Sequence, residues 1–298
     1  MSGFDLAAYL AERRQLVDEA LAACLPPEDA PPSSVHRAMR YSVMAGGKRL
    51  RPILVIAGAE AVGAKAATVM PTACALELIH TYSLIHDDLP AMDDDDYRRG
   101  RLTSHKVFGE AIAILAGDAL LTHAFRLIAE NAARVSDPAV IREVILEVAD
   151  AAGTGGMVGG QVVDIESEGK AVTAETLEYI HLHKTAALIR ASLRVGAMLG
   201  GARPADVAAI GEAGESLGLA FQIVDDILDV EGTLAELGKT AGSDERKGKA
   251  TYPAVHGIEA SRGQARTWIA RAKERLATLG PGAVPLGALA DYILERRS

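Results

Sequence analysis

Apolar residues recur at helical rather than strand spacing along most of the chain. From Phe4 to Cys24, Leu6, Leu10, Val17 and Leu21 stand among charged neighbours, the pattern of a helix with one face turned to a core. That pattern breaks at Leu25-Pro26-Pro27-Glu28-Asp29-Ala30-Pro31-Pro32. Further helices are expected over Val35–Ala45, Pro52–Val62, Thr68–Leu89, Glu110–Ala133, Pro138–Ala152, Thr173–Leu199 and Pro204–Val230. Two more flank Gly280-Pro281-Gly282. Ser136-Asp137-Pro138 has the order of a cap followed by proline at the first helical position. The run Gly153-Thr154-Gly155-Gly156-Met157-Val158-Gly159-Gly160 should interrupt a helix, since each interior glycine costs about 1 kcal/mol against alanine. These glycines are therefore expected to mark close approach of backbone to backbone or ligand. No series of short β-branched segments appears, so the expected fold is all-α, one large helical domain over residues 1–298.

Composition narrows the function. Aromatic residues make up 4% of the chain, and the net charge of -9 with a pI near 5.4 argues against a nucleic-acid binder. Cys24 and Cys74 form no CxxC pair, which gives no sign of a disulfide framework or a structural zinc site and fits a reduced, cytoplasmic setting. The first residues lack a basic segment followed by an apolar one, and no apolar run reaches the ~20 residues that span a bilayer.

The chemistry gathers in two acidic stretches. In the first, Leu78 to Leu89 reads as an apolar helix that runs into Asp87, Asp88, Asp93, Asp94, Asp95 and Asp96, with Pro90 among them and Arg98-Arg99-Gly100 after. His80 shares a helix face with Asp87, and Pro90 ends the helix so that Asp93 can turn back toward Asp87. In the second, Asp225 and Asp229 lie one turn apart, with Asp226 beside them, among Phe221, Ile223, Val224, Ile227 and Leu228. Like charges at this spacing repel, so the aspartates either splay into water or gather round a cation. Oxygen ligands without Cys or a paired His motif suit a hard cation such as Mg²⁺, held jointly by protein and phosphate. Lys48, Arg49 and Arg51 before Pro52 fall at a helix N-terminus, where backbone N–H groups also favour anions; the alternative is a solvated basic turn.

In this order the motifs resemble those of the trans-isoprenyl diphosphate synthases, and most closely the bacterial farnesyl diphosphate synthases. The resemblance runs from Gly46-Gly47-Lys48-Arg49-Leu50-Arg51-Pro52 to Leu289-Ala290-Asp291-Tyr292. It includes Asp87-Asp88 with Asp93, Arg98-Arg99-Gly100, Gly159-Gly160-Gln161 with Asp164, His183-Lys184-Thr185, and Phe221-Gln222 with Asp225-Asp226-Ile227-Leu228-Asp229. It implies the isoprenoid synthase fold, a helical bundle round a central substrate cavity, and a homodimer. It further implies Mg²⁺, three ions shared with the substrate diphosphate, on Asp87, Asp88 and Asp93 from one wall and Asp225, Asp226 and Asp229 from the other. Lys48, Arg51, His80 and Arg99 would bind isopentenyl diphosphate. Arg98, Lys184, Lys239 and Lys249 would contact the allylic diphosphate, with Thr185 and Gln222 facing the reacting carbon and Asp94, Asp95 and Asp96 solvated or behind the ligands.

The implied reaction is ionisation of dimethylallyl, then geranyl, diphosphate, followed by addition of isopentenyl diphosphate to the allyl cation. The polar segment Gly232 to Thr251 is expected to act as a lid that excludes water. Tyr82, with Ser83 beside it, lies about 7.5 Å before Asp87 along the helix at ~1.5 Å per residue, placed to floor the pocket, and the resemblance implies that an aromatic there goes with a fifteen-carbon product. Three rival readings are a geranylgeranyl or longer-chain synthase, a class I terpene cyclase and a non-catalytic helical partner subunit. Tyr82 weighs against the first, the Asp225-Asp226-Ile227-Leu228-Asp229 motif against the second, and the retained phosphate-binding positions against the third.

Overall fold

A computed structural model of the protein describes residues 4–231 and 251–296. Every long apolar pattern folds as a helix, because only helical spacing puts these residues on one face. The order is α1 (Leu6–Cys24), α2 (Ser33–Val43), α3 (Leu50–Ala61), α4 (Ala66–Asp87), α5 (Ser104–Phe108), α6 (Glu110–Glu130), α7 (Val140–Ala152), α8 (Met157–Ser167), α9 (Ala174–Ile180), α10 (Ala187–Leu199), α11 (Pro204–Glu231), α12 (Tyr252–His256), α13 (Ile258–Ala277) and α14 (Val284–Glu295). Between α4 and α5 a two-residue hairpin, β1 (Tyr97–Arg98) and β2 (Arg101–Leu102), pairs antiparallel. This small hairpin departs from the purely helical expectation.

The caps follow from the sequence. Asp5 accepts from the Ala8 N–H at 2.9 Å at the start of α1, and Asp137 accepts from Ala139 just before α7. Pro71, inside α4, has no N–H to offer the Ala67 carbonyl one turn back, and Arg134 donates to that carbonyl instead, at 3.2 Å.

Helix α3 is buried from Pro52 through Ala59, as a helix apolar on all sides must be. It packs against α4 and α10; α4 lies along α6, α10 against α11, and α11 along α13. Among the described residues two large apolar clusters fill the bundle, with a small third of Ala151, Ala187 and Ala191. One gathers residues of α1, α2, α4, α6 and α7 with part of α3 and α10, the other residues of α11, α13 and α14 with the rest of α3 and α10.

The glycine run interrupts the helix as expected, α7 ending at Ala152 and α8 beginning at Met157, and Gly159 and Gly160 lie inside α8. Two expectations change. The expected helix Thr173–Leu199 is three pieces, with a π-helical segment His181–Ala186 between α9 and α10. Finally, α6 with its 3₁₀ extension (Glu110–Arg134) and α11 are long and apolar enough to cross a membrane by length and composition. They escape a search for uninterrupted apolar runs because scattered polar residues divide them. In the structure α11 is largely inside the bundle, whereas α6 is buried along one side only.

Candidate active site

Helix α4 ends at Asp87, and the chain turns over Pro90 so that the Asp93 N–H donates to the Asp87 carbonyl at 2.8 Å. Asp93 is thereby folded back beside Asp87, as the proline suggested. Asp88 is buried, and its Oδ1 accepts from Arg98 Nε at 2.7 Å and from a terminal Arg98 nitrogen at 2.6 Å. Burial nevertheless raises the Asp88 carboxyl above its ordinary pKa, outweighing Arg98. Asp94 and Asp96 are exposed and lie within 4.8 Å of a His105 ring nitrogen, with Lys106 2.6 Å from Asp96.

A cationic corner adjoins this wall. Arg99, in a left-handed conformation, donates to the Gly46 carbonyl. A Cβ at Gly47 would stand 2.6 Å from the Arg99 guanidinium carbon, so the double glycine and the Arg98-Arg99-Gly100 turn are one interlocked unit. Arg49 departs from expectation. It shares the basic helix N-terminus with Lys48 and Arg51, but its left-handed backbone sends the side chain inward, 2.8 Å from both Asp18 and Glu77. Arg49 and Glu77 are a buried pair that anchors the corner, and Lys48 and Arg51 are left to face the site.

Burial disfavours the charged form of the remaining basic groups. Burial, then Arg51, Arg99, Arg98 and Arg49, hold His80 well below its ordinary pKa, which keeps the imidazole neutral. Burial lowers Arg51 too, with Arg99 adding to the effect and Glu77 and Asp225 opposing it, and the Arg51 Nε is buried without a hydrogen-bond partner. Arg99 and Lys48 are lowered for the same first reason. Basic groups whose charge is disfavoured in this way make a site that gains by taking an anion.

The second wall is the last part of α11. Burial raises Asp225, against the pull of Arg296, which stands 2.6 Å away, and of Lys48. Asp225 in turn acts on Arg51 and Lys48, so this second wall adjoins the cationic corner. Asp226 is buried and fully engaged by the protein. Its Oδ1 accepts from Gln222 at 2.8 Å, and its Oδ2 accepts from the Tyr252 N–H at 2.8 Å and lies 3.3 Å from His181 Nε2. Asp229 is also buried.

Helix α8 and the π segment connect the walls. A Cβ on Gly160 would lie 2.3 Å from the Lys184 backbone nitrogen, so the expected close approach is that of α8 to His183-Lys184. One turn of α8 then serves both sides, with Gln161 donating to Asp87 at 3.1 Å and Asp164 accepting from Lys184 Nζ at 2.6 Å. The Thr185 hydroxyl donates to Gln222 Oε1 at 2.8 Å, which completes a chain Thr185–Gln222–Asp226. Tyr82 is buried and stacks edge-on against His86 at 5.7 Å, while Ser83 donates to the His80 carbonyl. Lys239, Lys249 and residues 232–250 of the expected lid lie outside the described residues.

Sequence reasoning missed Arg296, Glu77 and the roles of His181 and Tyr252. Glu77 carried one signal, a lone acid within the apolar stretch Cys74 to Ile79.

The sequence matches the polyprenyl synthetase family over residues 32–279. Similar proteins include a geranylgeranyl diphosphate synthase of Cyanophora paradoxa, 47% identical over 298 residues, covering 100% of this chain and 98% of that protein. A farnesyl diphosphate synthase of Geobacillus stearothermophilus is 45% identical over 296 residues, covering 99% of each. Among solved structures, the geranylgeranyl pyrophosphate synthetase of Pyrococcus horikoshii Ot3 superposes with a TM-score of 0.89 at 34% identity, covering 98% of each chain. The chain therefore belongs to the trans-prenyl diphosphate synthases, prenyltransferases with the all-α isoprenoid synthase fold.

Proposed function

We propose that the chain elongates prenyl diphosphates as one catalytic domain, joining isopentenyl diphosphate to dimethylallyl and then geranyl diphosphate to yield farnesyl diphosphate. One observation carries this reading: Asp88 and Asp225 are held above their ordinary carboxylate pKa, while Lys48, Arg51 and Arg99 facing them are held below theirs. Arg98 and Arg296 offset only part of the acidic side, and a diphosphate with its cations would balance both sides.

The donors fit Mg²⁺. All are carboxylate oxygens, and both Arg98 contacts to Asp88 fall on Oδ1. Asp87, Asp88, Asp93 and Asp225 would hold the ions, three in all, whose chemistry is to neutralise diphosphate as it leaves carbon. Asp226 and Asp229 act from behind, Asp226 by fixing Gln222. Arg98 and Lys184, with Lys239 and Lys249, bind the allylic diphosphate, and Lys48, Arg51, His80 and Arg99 bind the other. With its O–H donating a hydrogen bond to Gln222, Thr185 Oγ1 offers lone pairs to the allyl cation, and the Gln222 carbonyl oxygen lies beside it. The isopentenyl double bond adds to the cation, and the departing diphosphate takes the proton.

Tyr82 supports the fifteen-carbon product, since a buried ring on the helix that ends at Asp87 limits depth below it. A twenty-carbon product is the second reading, favoured by the geranylgeranyl synthase relative at 47% identity. Chromatography of the dephosphorylated products decides between them. Farnesol is expected from the native chain and longer alcohols from Tyr82→Ala, whereas geranylgeraniol from the native chain would establish the second reading. We further place the protein in the cytoplasm as a homodimer.

A further inference from the structure

Arg190, Arg194, Arg271 and Arg275 take no part in the site described above. They line one cavity of about 420 Å³, formed where α11 passes between α10 and α13. On each flanking helix the two arginines are four residues apart, so Arg190 and Arg194 share one face of α10, and Arg271 and Arg275 one face of α13. Like charges at this spacing repel, so a cavity that collects both pairs carries a cost that an anion relieves. A Cβ on Gly211 of α11 would stand 2.9 Å from Arg194 Nη1 and 3.0 Å from its Cδ, so the bare backbone there lets Arg194 lie close across the cavity floor.

The protein's own carboxylates offset this charge incompletely. Arg190 Nη1 lies 3.3 Å from Glu215, Arg275 Nε 2.7 Å from Glu212, and Arg194 Nε 2.8 Å from Glu147 of α7. Both partners are partly exposed in the first two pairs, and exposed pairs hold weakly. Arg271 has no carboxylate partner among the described residues and lies over the Trp268 ring, 4.6 Å from its centroid. Arg190 Nε is buried without a hydrogen-bond partner. Four guanidinium groups thus meet three carboxylates, a local positive excess on a chain of net charge -9.

We propose that this cavity is a second, non-catalytic anion site, which binds a phosphate-bearing small molecule of at least diphosphate size. The planar guanidinium fork matches phosphate oxygens two at a time, and four forks from two sides suit a chain of phosphates rather than a single one. The volume falls within the range of about 300–1,000 Å³ usual for small-molecule sites. No residue that lines it belongs to the prenyl-transfer machinery, so the proposal does not depend on the activity assigned there.

The test titrates the full-length chain with inorganic pyrophosphate in one arm and ATP in the other, with a chelator present and ionic strength held constant. It follows the fluorescence of Trp268, the single tryptophan of the chain. An anion that draws Arg271 off the ring should change this emission and saturate. Saturation by pyrophosphate supports the site with a free diphosphate as ligand, and saturation by ATP alone supports it with a nucleotide. The response should persist in Arg51→Gln, which alters the active-site corner, and weaken roughly tenfold or more in Arg190→Gln and in Arg271→Gln. In the native chain the bound anion should also protect Arg190 and Arg271 from phenylglyoxal, as read by peptide mass spectrometry, which decides the matter even if a variant folds poorly. No saturable response to either anion, a response lost in Arg51→Gln or unchanged in both other variants, or labelling unaffected by the anion would overturn the proposal.

Discussion

His80 shows how the site's charge is written into a single residue. Among guanidinium groups the imidazole is held neutral well below its ordinary pKa, so the folded state refuses a proton that the unfolded chain accepts below about pH 6.5. Stability linked to His80 is therefore complete above that pH and is lost as pH falls through it, by up to about 1.4 kcal/mol per pH unit. Urea unfolding of the native chain and of His80→Gln between pH 7.5 and 5.5 is expected to show a shallower decline in the variant. Inorganic pyrophosphate, by bringing negative charge to the corner, should flatten the native curve. Equal slopes in all three cases would remove His80 from the anion site. Side-chain direction was the part the sequence hid at this scale. Lys48, Arg49 and Arg51 read alike as basic residues before a helix, yet a left-handed Arg49 turns into the buried Asp18 and Glu77. Periodicity gives the face of a helical residue, but not the orientation of one just outside the helix.

At the scale of elements, existence and type were legible and continuity was not. Apolar spacing located each long helix, because burial of one face is what stabilises it. The π segment His181–Ala186 leaves no such mark, since a single widened turn only shifts the phase of the stripe. Its position is instead signalled from another helix, through Gly160. Gly160→Ala would put a methyl group 2.3 Å from the Lys184 backbone nitrogen. It should cost about 1–3 kcal/mol of stability by overpacking. Moving Lys184 and Thr185 by even an ångström should lower kcat by roughly 10²-fold. Thermal unfolding and steady-state kinetics on the same preparation check both, and an alanine variant of native rate would show that this close approach does not position the site. The motif Gly160-Gln161 with Asp164 thus has a local explanation: one residue for contact, two for holding Lys184 and Asp87.

For the whole molecule, the sequence offered two acidic motifs that either splay into water or gather round a cation, and the family resemblance implied that they meet. It did not show the protein contacts that hold them in place, because the partners of Asp225 and Asp226 are Arg296, His181 and the Tyr252 backbone, drawn from distant parts of the chain. The molecule also leaves an apolar surface uncovered, with Ile114 42% and Leu115 53% exposed on α6 and Val107 44% exposed on α5. A second copy of the chain is the occupant expected for this face. Analytical ultracentrifugation should find a dimer for the native protein and a monomer for Leu115→Glu, and a native monomer would refute the assignment.

The two aspartate walls and the cationic corner are proposed to form one site that releases diphosphate only when cations fill the acidic side. This is tested most directly by measuring diphosphate released from dimethylallyl and isopentenyl diphosphates, with and without Mg²⁺. Release that requires both substrates, is abolished by a chelator and returns with added Mg²⁺ is the predicted result. No release under any of these conditions would rule out such a site and leave the chain a non-catalytic helical partner.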